Sequence, residues 1–393
     1  MAHVKTALVI GGGIAGPVTA LALRKAGIDA SVYEAHDVAA EGVGAMLSVA
    51  PNGLDALRII GADKAVEAAG QAVPGVVMAD GSGNQLSEFR GFPGLSATVT
   101  LDRADLLGTL TGYALAAGVR IQYGKRLVAA DQTSERVTAT FSDGTTATAD
   151  VLIGADGIRS MVRTLVAPDA PGPEYGGVLS FGGYSRSDVP AEPGTMYFAF
   201  GRTFVGYWRL PDNRICWFAS LPRTEPLSSV EVARIPATAW LTQLRELYAG
   251  HVPGETLLAQ TDPGDLMATG PMERMPSLPR WQRGRMVLVG DAAHAPSSSS
   301  GQGASLAIES AVELARCLRD LPNSTAAFTA YERLRRPRVE TIGGNAAATN
   351  KAKAGQAGDR PAMPTPEQMF APVHRHHIEW DETVLAEHDL PNT

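Results

Sequence analysis

The sequence predicts an α/β protein in which a parallel-stranded domain is interleaved with an antiparallel-sheet domain and followed by C-terminal helices. Three observations predict it. A strand, a glycine-rich turn and a helix open the chain over residues 4–26. Two further strand-turn-helix units follow, one over residues 151–163 and one over residues 285–318. Between and around them, residues 74–92 and 175–262 lack that pattern, and part of the second stretch alternates large apolar residues instead.

Bulk properties bound the possibilities. A chain of 393 residues that is 45% hydrophobic and 19% charged has material for two domains or one large composite one. A net charge of −7 argues against nucleic acid as a partner, because phosphate binding needs a basic surface. The basic run Arg333, Arg335, Arg336 and Arg338 reads as a solvated helix face. Cys216 and Cys317 have no CxxC partner and read as buried free thiols of a reducing compartment. No apolar run is long enough to span a membrane, and the run from Ala7 to Ile10 stops at three glycines, so a cytoplasmic protein is expected.

The first unit reads as follows. Residues 4–10 form a buried strand, and Gly11, Gly13 and Gly16 give the spacing GxGxxG. Gly11 permits the tight turn, Gly13 lets backbone approach a pyrophosphate, and Gly16 allows helix and strand to pack closely. Ala15 belongs to the helix start, where free N–H groups and a partial positive charge face phosphates. The helix ends at Gly27, a second strand follows, and Glu34 closes it, 21 positions after Gly13. An acid near that spacing binds ribose hydroxyls. The motif indicates a dinucleotide and does not by itself separate NAD from FAD.

In the second unit, Asp156-Gly157 forms a turn and Arg159, Ser160 and Arg163 open a helix. In the third, residues 285–289 form a strand ending at Asp291, within "GDAAHAPSSSSGQGAS" at 290–305, and an amphipathic helix runs from Ala304 to about Leu318. Ligands of open α/β sheets bind at such strand ends. A simple NAD domain has no need of a glycine-rich helix start so late in the chain, whereas the longer FAD needs a separate site for its ribityl and ring portion.

Together, GxGxxG with Glu34, "DGIRSMVR" at 156–163 and "GDAAHAP…GQGAS" at 290–305 resemble the single-component FAD-dependent aromatic hydroxylases, the group of p-hydroxybenzoate, salicylate and tetracycline monooxygenases. "LDRADLL" at 101–107 and "YERLRRPR" at 331–338 are similar to that family's further motifs. The resemblance implies that residues 1–73, 98–174 and 275–393 form a Rossmann-like FAD-binding domain with the C-terminal helices. Residues 74–97 and 175–274 would form the substrate-binding domain. It implies that Glu34 binds the FAD ribose, Arg103 the ribityl–pyrophosphate region and Asp291 the ribityl chain or pyrophosphate. Asp156 would order the pyrophosphate-side turn, and the backbone of Gly301, Gln302, Gly303 and Ala304 would approach the pyrimidine edge of the flavin, where the helix N-terminus stabilises negative charge. Two positions depart from the family pattern: Ala35 stands where relatives carry Arg, and Ser298 where they carry Pro.

The implied activity is insertion of one oxygen atom into an aromatic or polycyclic molecule by way of a flavin C4a-hydroperoxide, with NADH or NADPH and O₂ as co-substrates. Alternatives are an FAD reductase or oxidase on the same fold, or a flavin- or drug-binding protein without turnover. A monomer or weak homodimer is expected. No side chain is assigned as catalytic. Substrate candidates are Phe200, Tyr207, Trp208, Trp217 and Ser298, although strand alternation puts about half of the aromatics on the far face. His374, His376 and His377 lack zinc spacing and read as part of a solvated tail, so no metal is expected. The run Ser297–Ser300 reads as a loop beside the flavin and not as a hinge.

Overall fold

Val9, Val32, Leu152, Ile153, Val287 and Leu288 are inaccessible to solvent, the near-continuous apolar pattern of strands covered on both faces. They belong to a six-stranded sheet whose order is Gln282–Arg283, Met286–Leu288, Val151–Gly154, Thr6–Ile10, Asp29–Tyr33 and Arg120–Gln122. Its pairings are parallel except at the edge strand Gln282–Arg283. The structure is a computed structural model that describes residues 3–38, 46–353 and 365–385.

The three strand-turn-helix units therefore converge on neighbouring strands. Thr6–Ile10 pairs with Asp29–Tyr33 on one side and Val151–Gly154 on the other, and Val151–Gly154 pairs with Met286–Leu288. Helix Ala15–Lys25 packs beside helix Gly303–Asp320 against this sheet. A three-stranded antiparallel sheet, Leu127–Gln132, Val137–Phe141 and Thr146–Ala149, packs against its strands, with Tyr33 stacked on Phe141 at 4.8 Å.

Helix Gly303–Asp320 departs from the amphipathic expectation: every residue from Ser305 to Ala315 is buried. Helices Ala15–Lys25, Pro51–Ile59 and Ser324–Lys353 all pack on it. A helix buried all round must satisfy its polar residues internally. The "solvated" basic run supplies that satisfaction, which corrects the expectation. Arg335 is 1% exposed, and with Arg338 it pairs with the fully buried Glu309, at 2.6 and 2.9 Å. Arg336 stacks over Trp281 at 5.1 Å.

The second large sheet has seven strands, ordered Leu266–Arg274, Glu174–Ser185, Ile215–Pro222, Phe204–Arg209, Thr195–Phe200, Gly75–Asp80 and Gln85–Phe89. One face is covered by helices Ala237–Leu247 and Val252–Ala259, whose Trp240, Leu244 and Leu257 join Phe181, Tyr207 and Trp217 in one core. The other face meets a small sheet of Met46–Val49, Thr98–Asp102 and Gln71–Val73.

The described C-terminal segment is not a free tail. His374 meets the Phe92 ring edge-on at 6.3 Å, Phe370 lies 5.9 Å from Phe89, His376 lies 3.7 Å from Glu309, and His377 reaches Asp55 at 2.5 Å. Apolar rings and the buried carboxylate draw the segment back onto the body, which overturns the solvated reading. Among the described residues no helix is long and apolar enough to cross a membrane. Both cysteines are free and buried, and burial pushes both thiols upward.

Candidate functional site

The three glycines of the first turn do different work. Gly11 has φ +107°, and a Cβ there would lie 2.4 Å from the Ala155 carbonyl oxygen on the neighbouring strand. A Cβ on Gly16 would lie 1.9 Å from the Gly11 oxygen, so helix and turn touch backbone to backbone. A Cβ on Gly13 would meet nothing within 4 Å. Two glycines close the turn and the third borders open space. Helix Ala15–Lys25 has no side-chain N-cap, so its first N–H groups keep no side-chain acceptor.

Glu34 reaches back to this turn. One carboxylate oxygen accepts from Gly12 N at 2.6 Å, the other from His36 N at 2.9 Å. The carboxylate is thereby oriented beside the glycine loop with lone pairs to spare. Ala35, next to it, is half-buried and contributes no charge.

The second and third units are tied together by Arg163, in the helix of the second. Asp156 accepts from Ser160 Oγ at 2.5 Å and Val162 N at 3.0 Å, which pins the turn into helix Met161–Val166. Burial raises the Asp156 carboxyl, and those bonds oppose the shift. Arg163 then donates to the Ala292 carbonyl at 3.2 Å and to Ile158 O at 2.6 Å, so the turn at 156–163 is bolted to the turn at 290–294. Gly290, at φ +61°, has Ala15 Cβ and Ala307 Cβ at 3.1 and 3.2 Å from where its own Cβ would be. The first and third units therefore meet there without room for a side chain.

Asp291 begins the short helix Asp291–His294 and still meets solvent. Surrounding protein nevertheless raises its carboxyl above the usual value, with Arg103 opposing the shift. A carboxylate in that condition lies on the floor of a cleft. Arg103 is exposed at the first position of helix Arg103–Ala116.

The serine run forms a tight turn, Ser298–Ser300, before Gly301 at φ +61°. Ser297 is buried and accepts from Asn350 Nδ2 at 2.6 Å, and Ser299 also bonds Asn350. Ser300 Oγ accepts from Gln302 N at 3.0 Å. Three of the four serines are thus spent on fixing the loop, and Ser298 is the exposed one. Gln302 is buried, with its Oε1 accepting from Asn52 at 3.2 Å. Gly303 has open space where a Cβ would point, and Ala304 packs partly on the core. The helix that starts here has no side-chain N-cap. Ser48, on the small sheet, donates to Gly301 O at 3.4 Å and joins the loop to that sheet.

The register of the seven-stranded sheet separates the aromatic candidates. Tyr207 and Trp217 are paired partners that face the covering helices; Tyr207 stacks on Tyr197 at 5.0 Å, and Trp217 Nε1 donates to Thr261 at 3.0 Å. Their substrate assignment is corrected on that ground, since a side chain on the helix-covered face does not reach the cleft. Trp208 is on the opposite face, buried against Val73 and Cys216, with Phe218 6.3 Å away. Phe200 is on the same face beside Phe204 at 5.1 Å. Phe198 and Phe218, absent from the short list of candidates, complete that wall. Alternation predicts two faces from sequence but leaves open which one is covered.

Sequence reasoning also missed Glu309. Burial alone would raise it, yet Arg335 and Arg338 hold its carboxyl down to about 2. Asn52 donates to it at 2.6 Å. Below it His294 bonds Ser310 at 2.8 Å and is pushed down to about 3 by burial and Arg335. This cluster supports the start of helix Gly303–Asp320 from beneath. The one signal available was an acid inside an apolar helix, with two arginines spaced three apart downstream.

Two uncapped helix starts bordering open space, an oriented acid and a solvent-accessible carboxylate within electrostatic reach of an arginine fit a dinucleotide that carries a pyrophosphate and an extended ring portion. Comparison with known proteins agrees. The family model described as "FAD binding domain" matches residues 4–206 and 267–346. The chain is 31% identical over 344 residues to the aurachin C monooxygenase/isomerase of Stigmatella aurantiaca, covering 84% of this chain and 85% of that one. It is 31% identical over 350 residues to an FAD-dependent urate hydroxylase of Klebsiella pneumoniae, covering 86% and 87%. Its fold is similar to that of a Klebsiella pneumoniae protein solved with FAD and uric acid, at a TM-score of 0.78 and 26% identity over 96% of this chain and 93% of the other. With its mixed α/β architecture and a family match over more than half its length, the chain belongs to the FAD binding domain family and is an enzyme of the FAD-dependent monooxygenase class.

Proposed function

We propose that this enzyme uses NADH or NADPH and O₂ to insert one oxygen atom into an aromatic small molecule held between its flavin and the aromatic face of the seven-stranded sheet. The observation that carries the reading is the junction at Ser48 and Gly301, where an uncapped helix start with open space at Gly303 meets the small sheet beneath that face. Bound FAD supplies electron transfer and O₂ activation. The chain supplies binding, orientation and exclusion of water.

In this reading Gly11, Gly13, Ala15 and Gly16 present backbone to the pyrophosphate, Glu34 holds the ribose, and the neighbouring Ala35 borders the adenine side. Arg103 and Asp291 hold the ribityl–pyrophosphate portion, and Asp156 keeps the adjoining turn in place. The N–H groups at Gly301, Gln302, Gly303 and Ala304 face the pyrimidine edge, where the 18-residue helix Gly303–Asp320 favours negative charge. Residues 1–73, 98–174 and 275–393 bind the cofactor, and residues 74–97 and 175–274 bind the substrate. The two buried unpaired thiols fit a reducing, cytoplasmic setting.

The test is NAD(P)H oxidation against a panel of aromatic compounds, with mass analysis for a gain of one oxygen. Turnover without O₂, or without oxygenated product, overturns it. Asp291→Ala is expected to weaken FAD retention by about 1.5–3 kcal/mol through loss of a charge-assisted hydrogen bond, read by flavin titration. Unchanged affinity removes Asp291 from the site.

A further inference from the structure

We propose that the substrate is a neutral, flat, fused-ring aromatic compound with a hydroxyl or ring N–H at one end, and that Asp102 positions it by accepting a hydrogen bond from that group. This rests on the reading of the cleft as the oxygenation site and names what that site selects.

The wall facing the cleft is aromatic and uncharged. By register, Met196, Trp208, Cys216 and Tyr184 form one cross-strand row, and Phe198, Gly206, Phe218 and Gly182 form the next. Phe204 lies within 6.0 Å of Phe198, Phe200 and Phe218, centroid to centroid, so the rings form one surface. The Phe218 ring lies over Gly206, where a Cβ would come within 2.2 Å of it. Phe198, Phe200 and Phe218 remain half-exposed, and no lysine, arginine or histidine is among the residues of these rows. A buried carboxylate or other anion has no cation to meet there, and stranding it costs far more than burying a neutral ring.

The polar end of the wall is acidic. Asp102 closes the small sheet opposite Met46, and Met46 packs with Tyr184 and Trp208. Asp102 therefore faces the aromatic wall where the two sheets meet, beside the Tyr184 hydroxyl. Arg214 lies over the Tyr184 ring at 4.5 Å but is engaged by Asp212 at 2.7 Å. Half-burial and Asp105 disfavour further negative charge at Asp102. An arriving anion is repelled, while a donor O–H or N–H finds a carboxylate that accepts one hydrogen bond from the Tyr184 hydroxyl and has further lone pairs to offer.

The experiment titrates the FAD-loaded full chain with naphthol, naphthoate and naphthalene. It reads the flavin absorption and, in parallel, tryptophan fluorescence, which needs no flavin. Naphthol is expected to bind at least about tenfold tighter than naphthoate. Asp102→Asn is expected to weaken naphthol about tenfold and leave naphthalene unchanged. Met196→Arg, which places a cation on the wall, is expected to shift the preference toward naphthoate. Equal binding of naphthoate and naphthol, equal weakening of naphthalene and naphthol by Asp102→Asn, or no binding by any of the three overturns the proposal. Failure to take up FAD, or to oxidise NAD(P)H with any aromatic compound, overturns the monooxygenase reading instead, and the fluorescence ranking still decides the selectivity.

Discussion

In the six-stranded sheet the candidate site is made of backbone at strand ends; in the seven-stranded sheet it is made of side chains on one face. On the first, Gly11 and Gly16 act through what they lack, because turn, strand and helix approach within distances no Cβ permits, while Gly13 leaves open space beside the turn. On the second, Phe198, Phe204, Trp208 and Phe218 act through ring surface. Backbone sites tolerate no substitution but are indifferent to what surrounds them. Face-built sites tolerate substitution and are retuned by it. On the proposed reading, one architecture combines a fixed cofactor site with an adjustable substrate site.

The sharpest way to break this comparison is at Gly16. Gly16→Val drives a side chain into the Gly11 carbonyl, so protein recovered from it is expected to hold no FAD, as read by the flavin-to-protein absorbance ratio after desalting. Gly13→Ala puts its methyl in open space. That variant is expected to keep the parent melting temperature while losing FAD affinity. Equal losses of stability in the two variants contradict the division between closing and bordering glycines.

The buried cluster under helix Gly303–Asp320 is next in size. Glu309→Gln leaves Arg335 and Arg338 without their carboxylate, and breaking a buried ion pair this way costs about 3–5 kcal/mol. Urea unfolding measures it. A change under about 1 kcal/mol shows that water reaches the arginines and that the cluster is not a dry support.

The same contrast explains what was legible in the sequence. The glycine spacing, Glu34, the turn at Asp156 and the strand before Asp291 are local patterns, and the structure places them on adjoining strands and turns. What was not readable depends on partners distant in sequence. Arg335 looks like a surface charge until Glu309 is brought to it, and His376 looks like a tail residue until the same acid draws it in. Tyr207 and Trp208 are neighbours of equal aromatic character, and only the helices packed on one face separate them. Local sequence carries turns well and carries the covering of a face hardly at all.

Acid sensitivity gives the next prediction. His294 is pushed from its ordinary 6.5 down to about 3, so the folded chain refuses a proton that the unfolded chain binds. Its contribution is complete above about pH 6.5 and is lost as pH falls through the interval down to about 3. The expected slope is about 1.4 kcal/mol per pH unit from this one group. His374 and His376, each near 4, act in the same direction. Glu309 adds a further loss below about 4.5, its ordinary value. Urea midpoints at pH 7.5 and 5.5 read the effect. A His294→Gln variant whose stability is as pH-dependent as the parent's excludes His294 as a source.

The smallest effect is the most direct test of the two faces. Trp217→Phe removes the bond to Thr261 on the helix-covered side, while Thr261 keeps its own bond to Leu257 O at 2.7 Å. The expected loss is about 0.5–1.5 kcal/mol of stability, with KM for an accepted aromatic substrate unchanged. Phe218→Leu alters the cleft side and is expected to raise KM severalfold with little change in stability, because its ring is half-exposed and bounded by other rings that can close over the smaller side chain. The pair separates fold from recognition on a single strand at adjacent positions. If both variants shift KM, or both shift stability alone, the seven-stranded sheet does not divide its two faces between core and substrate, and the wall is packing throughout.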